Sequence, residues 1–134
     1  MTETPATTQP TKKKILVVED EPFIKDLYVR ILEKQGYEVC SAEDGEEGYK
    51  LILENRFDVI LLDIMLPKMS GIDILQKLKT TNFALQGKIL MLTNLDQDMT
   101  IANCLSLGAT GYLIKDQYPP DNLVQEVKNI LSPE

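Results

Sequence analysis

The stretch Val59-Ile60-Leu61-Leu62-Asp63-Ile64-Met65-Leu66-Pro67-Lys68-Met69-Ser70-Gly71 decides the fold. It opens on a run of apolar residues, Val59 and Ile60 β-branched, which is the pattern of a strand buried on both faces of a parallel sheet. Asp63 ends the run. A carboxylate is costly to bury without a partner, so this position predicts the mouth of the sheet, facing a loop. Pro67 breaks the chain, and Ser70 can N-cap a helix that begins at Gly71.

Working outward, Lys14 to Asp20 is a second short apolar strand, and it too ends in carboxylates, Glu19 and Asp20. From Glu21, with Pro22 where a helix tolerates it, Ile24, Leu27, Tyr28, Ile31 and Leu32 form one face of an amphipathic helix closed by Gly36. Tyr37 to Ser41 reads as a brief strand. Asp44 starts a helix with Tyr49, Ile52 and Leu53, running to about Asn55. Beyond the central stretch, Ile72, Ile74, Leu75 and Leu78 mark a helix, and Lys88 to Leu92 a strand ending at Thr93. Asp98 to Leu107 is a weaker helix stopped by Gly108, Gly111 to Lys115 a fifth strand. Pro119 and Pro120 introduce a last helix through Leu123, Val124, Val127, Ile130 and Leu131.

Five strands alternating with five helices predict an α/β, doubly wound fold with a parallel sheet. The flavodoxin-like (βα)5 arrangement, strand order 2-1-3-4-5, sets the first and third strands side by side. Their terminal acids then meet.

The chain has 134 residues, the size of one domain. Residues 1–13 are rich in Thr, Pro and Gln and are read as a disordered tail; residues 14–131 form the domain. No apolar run approaches the roughly 20 residues of a membrane span, and no signal peptide is recognisable, so a cytoplasmic protein is expected. Cys40 and Cys104 have neither metal-ligand spacing nor a C-x-x-C pairing and read as reduced, structural thiols. Fourteen basic against 21 acidic residues give a net charge of −7, which argues against nucleic acid, and the absence of histidine removes the commonest general base and zinc ligand.

In a parallel sheet the residues ending four of the strands, Glu19 with Asp20, Asp63, Thr93 and Lys115, project to one edge. Two like charges about 4 Å apart repel by about 4 kcal/mol at an effective dielectric near 20, so three acids need a cation. Oxygen ligands without His or Cys select a hard metal, and Mg²⁺ suits such a site. These groups suit phosphoryl transfer to Asp63 as nucleophile, with Lys115 and Mg²⁺ neutralising charge and Thr93 donating a hydrogen bond. The product's added charge would bias nearby loops, which makes a switch.

In the order Val17-Val18-Glu19-Asp20-Glu21, Leu62-Asp63-Ile64-Met65-Leu66-Pro67-Lys68-Met69-Ser70-Gly71, Leu92-Thr93 and Gly111-Tyr112-Leu113-Ile114-Lys115, the chain resembles a response-regulator receiver domain of two-component signalling. The resemblance implies that Asp63 is the phosphoacceptor and that Glu19, Asp20, Asp63 and the Met65 backbone carbonyl hold Mg²⁺. It further implies that Thr93 and Tyr112 form a switch pair and that Lys115 binds the phosphoryl group. The implied donor is a sensor histidine kinase or a phosphotransfer protein. Two positions depart from the pattern. Asp116 follows Lys115 where many receivers carry a cis proline, so a cis peptide is not expected there. Asn94 stands where a small residue is common. Met65 and Leu95 are poorly suited to orienting a water, which predicts slow self-dephosphorylation.

A stand-alone receiver is the leading expectation, because only Ser132-Pro133-Glu134 follow Leu131. Its signal would leave through the face of the fourth and fifth helices and fifth strand, rimmed by Asn103, Gln117 and Asn122, toward an unknown downstream protein. Phosphorylation-dependent homodimer formation is left open. The alternatives are a Mg-dependent phosphohydrolase acting through an aspartyl phosphate, which would want an acid at Met65, and a phosphorylation-independent binding module.

Overall fold

The structure, a computed structural model, describes residues 12–94, 98–115 and 121–132. Most of the expected tail, Leu95, Gln117, Pro119, Pro120 and the Lys115–Asp116 peptide lie outside the described residues. In chain order the elements are β1 (Lys14–Val18), α1 (Pro22–Lys34), β2 (Glu38–Ala42), α2 (Gly45–Glu54), β3 (Val59–Asp63), α3 (Gly71–Thr80), β4 (Lys88–Thr93), α4 (Asp98–Ser106), β5 (Gly111–Ile114) and α5 (Asp121–Leu131). The strands form one parallel sheet in the order β2-β1-β3-β4-β5, the predicted flavodoxin-like topology.

Strand alternation divides the core into two layers. Ile15 and Val17, Val59 and Leu61, Leu90 and Leu92, and Leu113 pack under α1 and α5 with Tyr28, Leu32, Leu123 and Val127. Leu16 and Val18, Ile60 and Leu62, and Ile89 and Met91 pack under α2, α3 and α4 with Ile52, Ile74, Leu75, Leu78 and Cys104. Every residue of β3 is buried, as its unbroken apolar run requires.

Two helices begin at side-chain caps. Asp44 accepts from the Glu47 amide ahead of α2. Ser70 accepts from the Asp73 amide while the Asp73 carboxylate accepts from the Ser70 amide, a capping box that the sequence reading took only as an N-cap. Three strand boundaries differ: β1 ends at Val18 rather than Asp20, β5 ends at Ile114 rather than Lys115, and β2 begins at Glu38 and ends at Ala42, one residue later than expected. The cause of the β2 shift is the end of α1. Gly36, at φ 93°, turns the chain, and the Tyr37 amide still donates to the Leu32 carbonyl, so the ladder with β1 opens only at Lys14 opposite Glu38. Both cysteines are free, and Cys104 is buried.

Candidate functional site

The carboxyl edge of the sheet is assembled by the same alternation that builds the core. Glu19 continues the series Ile15, Val17; Asp63 continues Val59, Leu61; Lys115 follows Leu113. All three therefore fall on the α1 and α5 side of the sheet. Asp20, one residue out of phase, is exposed instead.

The buried groups form an ion triad. Lys115 Nζ donates to Asp63 Oδ2 at 2.8 Å and lies 2.9 Å from Glu19 Oε1. Glu19 is completely buried and Asp63 only 2% exposed. The other oxygen of each acid meets a backbone amide: Glu21 donates to Glu19 Oε2 at 2.9 Å, and Met65 donates to Asp63 Oδ1 at 3.1 Å. Asp20 completes the acid set, with one carboxylate oxygen from each of Glu19, Asp20 and Asp63 all within 4.8 Å of one another.

Electrostatics follow from that crowding. Burial is the main cause that pushes Glu19 up to about 7, with the Asp63 charge adding to it against the Lys115 hydrogen bond. Burial likewise raises Asp63 above the usual carboxylate range, against the pull of Lys115. Burial disfavours the Lys115 ammonium, but its bonds to Asp63 and Glu19 outweigh that and leave it raised. Among the described residues, one buried ammonium stands against three carboxylates.

That surplus tests the fit of a metal. The donors are all oxygen, and their spacing is that of ligands around one ion. A hard divalent cation fits this set.

The remaining predicted residues lie around it. Thr93, 8% exposed, is in the opposite phase of the alternation from Lys115 and lines a hollow of about 340 Å³ with Asp63, Ile64, Met65, Ile72 and Thr100. Its carbonyl accepts from the Lys115 amide at 2.6 Å. Met65 extends its side chain into solvent, 76% exposed, so only its backbone belongs to the pocket. Tyr112 is exposed on β5. Glycine sets one close approach: Gly71 opens α3 against β3, where a Cβ would fall 2.4 Å from the Asp63 carbonyl oxygen. Gly71 therefore does more than start the helix.

Fold and pocket together define a class: a doubly wound parallel domain with an acid cluster and a buried lysine at the carboxyl edge of its sheet. The model of the response regulator receiver domain matches residues 15–128, and the chain belongs to that family. It is 42% identical over 119 residues to the alkaline phosphatase synthesis transcriptional regulatory protein PhoP of Bacillus subtilis, covering 89% of this chain and 48% of that protein. The chain spans about half the length of the curated relatives it matches. Among solved structures, Vibrio cholerae chemotaxis protein CheY4 superposes with a TM-score of 0.81 at 30% identity, over 90% of this chain and all of that one. Thermotoga maritima response regulator TrrA, solved in complex with Mg²⁺-BeF, matches with a TM-score of 0.76 at 32% identity, over 89% of this chain and 99% of that one. Receiver domains are phosphoacceptor switches of two-component signalling.

Proposed function

We propose that Asp63 is the phosphoacceptor of this chain and takes its phosphoryl group from a phosphohistidine of a sensor histidine kinase or phosphotransfer protein. One observation carries the reading: three acids converge within 4.8 Å around a lysine that reaches two of them. An Asp63 carboxylate oxygen forms the bond to phosphorus, the bond from phosphorus to the donor imidazole nitrogen breaks, and that nitrogen keeps the electron pair. Lys115, already at 2.8 Å, turns from the carboxylate to the phosphoryl oxygens, and the Thr93 hydroxyl donates to them from the other side of the strand. Glu19, Asp20, Asp63 and the Met65 carbonyl would hold Mg²⁺, which supplies charge neutralisation for the phosphoryl oxygens. The Met65 amide keeps the nucleophile oriented.

Thr93 and Tyr112 serve as the switch pair in this reading, with Tyr112 outward in the present state. The signal leaves through α4, β5 and α5. Asn103 and Asn122 are exposed there, but so are Met99 at 85%, Leu105 and Tyr112, which gives the face an apolar component suited to a protein partner or a second copy of the chain. With a net charge of −7 the domain itself does not contact nucleic acid. A cytoplasmic location belongs to the same reading; among the described residues no helix is long and apolar enough to cross a membrane. Turnover is limited to self-dephosphorylation. A phosphohydrolase is disfavoured because Met65 offers no second acid, and the phosphoryl group is accordingly long-lived: a phospho-Asp63 half-life of only seconds would contradict the role given to Met65.

Acetyl phosphate with Mg²⁺ tests the reading. Intact mass should rise by one phosphoryl group in the wild type and not in Asp63→Asn. Equal masses before and after in both proteins would favour a binding module that works without phosphorylation.

A further inference from the structure

The corner between β2 and α2 contributes no group to the acid pocket, yet it touches both loops that do. The Glu19 amide donates to the Ala42 carbonyl at 3.0 Å, and Glu43 is ion-paired with Lys25 of α1. On its other side the Gly45 amide donates to the Pro67 carbonyl at 3.1 Å, and Asp44 Oδ2 lies 3.6 Å from Lys68 Nζ. The contact at Gly45 is closest of all. A Cβ there would fall 1.6 Å from the Met69 carbonyl oxygen and 2.5 Å from its carbon, so even alanine requires the β3–α3 loop backbone to move.

That loop has few ways to yield. Lys68 sits at φ 70°, a left-handed conformation uncommon for a residue with a side chain, and the Met69 amide donates to the Pro67 carbonyl at 2.7 Å. Downstream, the Ser70–Asp73 capping box and the close approach of Gly71 to Asp63 fix where α3 starts. Upstream lie Leu66 and Met65, and the Met65 amide orients Asp63 Oδ1. A displacement at Met69 is therefore passed toward the acid pocket.

We propose that Gly45 is a positioning residue for the cation site: by letting the β2–α2 corner lie directly on Met69, it sets the separation between the Glu19-Asp20 loop and the Asp63–Met65 loop. This rests on the reading of the acid pocket as a Mg²⁺ site. Ligands held on two independent loops bind an ion tightly only when something fixes their spacing, and outer partners of metal ligands commonly govern affinity for that reason.

The test is calorimetric titration of Mg²⁺ into the wild type, Gly45→Ala and Gly87→Ala, with thermal unfolding recorded for each. Gly87 is the control because a Cβ there would meet the Phe57 and Asp58 carbonyl oxygens at 2.0 and 2.8 Å, a backbone clash of the same kind at the opposite end of the sheet. Gly45→Ala is expected to raise the Mg²⁺ Kd about tenfold, while Gly87→Ala stays within about twofold of wild type even if it melts earlier. A Gly45→Ala protein with wild-type Mg²⁺ affinity, or equal weakening in both variants, overturns the positioning role alone. A wild type that binds no Mg²⁺ overturns the pocket reading as well. Should Gly45→Ala fail to fold, amide hydrogen exchange on the wild type decides: Mg²⁺ should slow exchange of the Gly45 amide about tenfold although Gly45 holds no ligand atom, and unchanged exchange overturns the inference.

Discussion

Strand β3 has an aspartate at each end, and the two live in opposite circumstances. Asp58, just before the strand, is half-buried; its Oδ2 accepts from the Lys14 amide at 2.8 Å, and its own amide donates to the Lys14 carbonyl at 2.7 Å. It tethers β1 to β3. Asp63, at the far end, shares one lysine with a fully buried Glu19 and faces Asp20 as well. An acid at a strand end is ordinary; a buried set of acids that outnumbers its cations is held there at a cost to stability. The difference lies in the unbalanced charge, and the proposed function uses it.

Lysine replacements at the two ends should widen that contrast most. Lys115→Met strands Glu19 and Asp63 without their ammonium, so urea unfolding at neutral pH should show a loss of about 3 kcal/mol, and phosphorylation by acetyl phosphate should slow severely. Lys88→Met, at the exposed start of β4, should change stability by no more than about 0.5 kcal/mol and leave phosphorylation intact. Similar losses from both would erase the distinction between the ends.

A pH profile sharpens it next. Glu19 titrates near 7 in the fold against an ordinary 4.5, chiefly because it is buried, and Asp63 is shifted the same way. The folded state then keeps protons that the unfolded chain releases, so stability falls as pH rises through the interval from 4.5 to about 7 and stays low above it. Without Mg²⁺ the thermal midpoint should drop across that interval. Adding Mg²⁺ at pH 8 should recover it, whereas a flat profile would mean that Glu19 is not strained by burial.

A modest effect belongs to the tethering end. Lys14 Nζ lies 5.4 Å from the centroid of the Phe57 ring, so Lys14→Met should cost about 0.5–1 kcal/mol in urea unfolding. Phosphorylation should be unaffected; a slowed reaction would show that the two ends are coupled.

Much of this was legible before any coordinates. The apolar run at Val59–Asp63 marked its strand with the observed ends, because a strand buried on both faces has few ways to slip, whereas β1 stops at Val18, short of the Glu19 and Asp20 expected to end it. The partition of Glu19 inward and Asp20 outward was also within reach, since Glu19 shares the phase of Ile15 and Val17, though adjacent acids were read together as one pair. Ser70-x-x-Asp73 likewise spelled a capping box. The β2 boundary was not legible, because it depends on how Gly36 and Tyr37 close α1. Nor was the contact of Gly45 with Met69. It joins segments far apart in the chain through backbone atoms alone, and no side-chain pattern announces such an approach.

Chemical trapping of the modified residue bears most directly on the phosphoacceptor. After incubation with acetyl phosphate and Mg²⁺, borohydride reduces an aspartyl phosphate to homoserine, which peptide mass spectrometry can place in the chain. Homoserine is expected at position 63 alone. Homoserine at Asp20 or Asp58, or none in a protein that has gained a phosphoryl group, would contradict it.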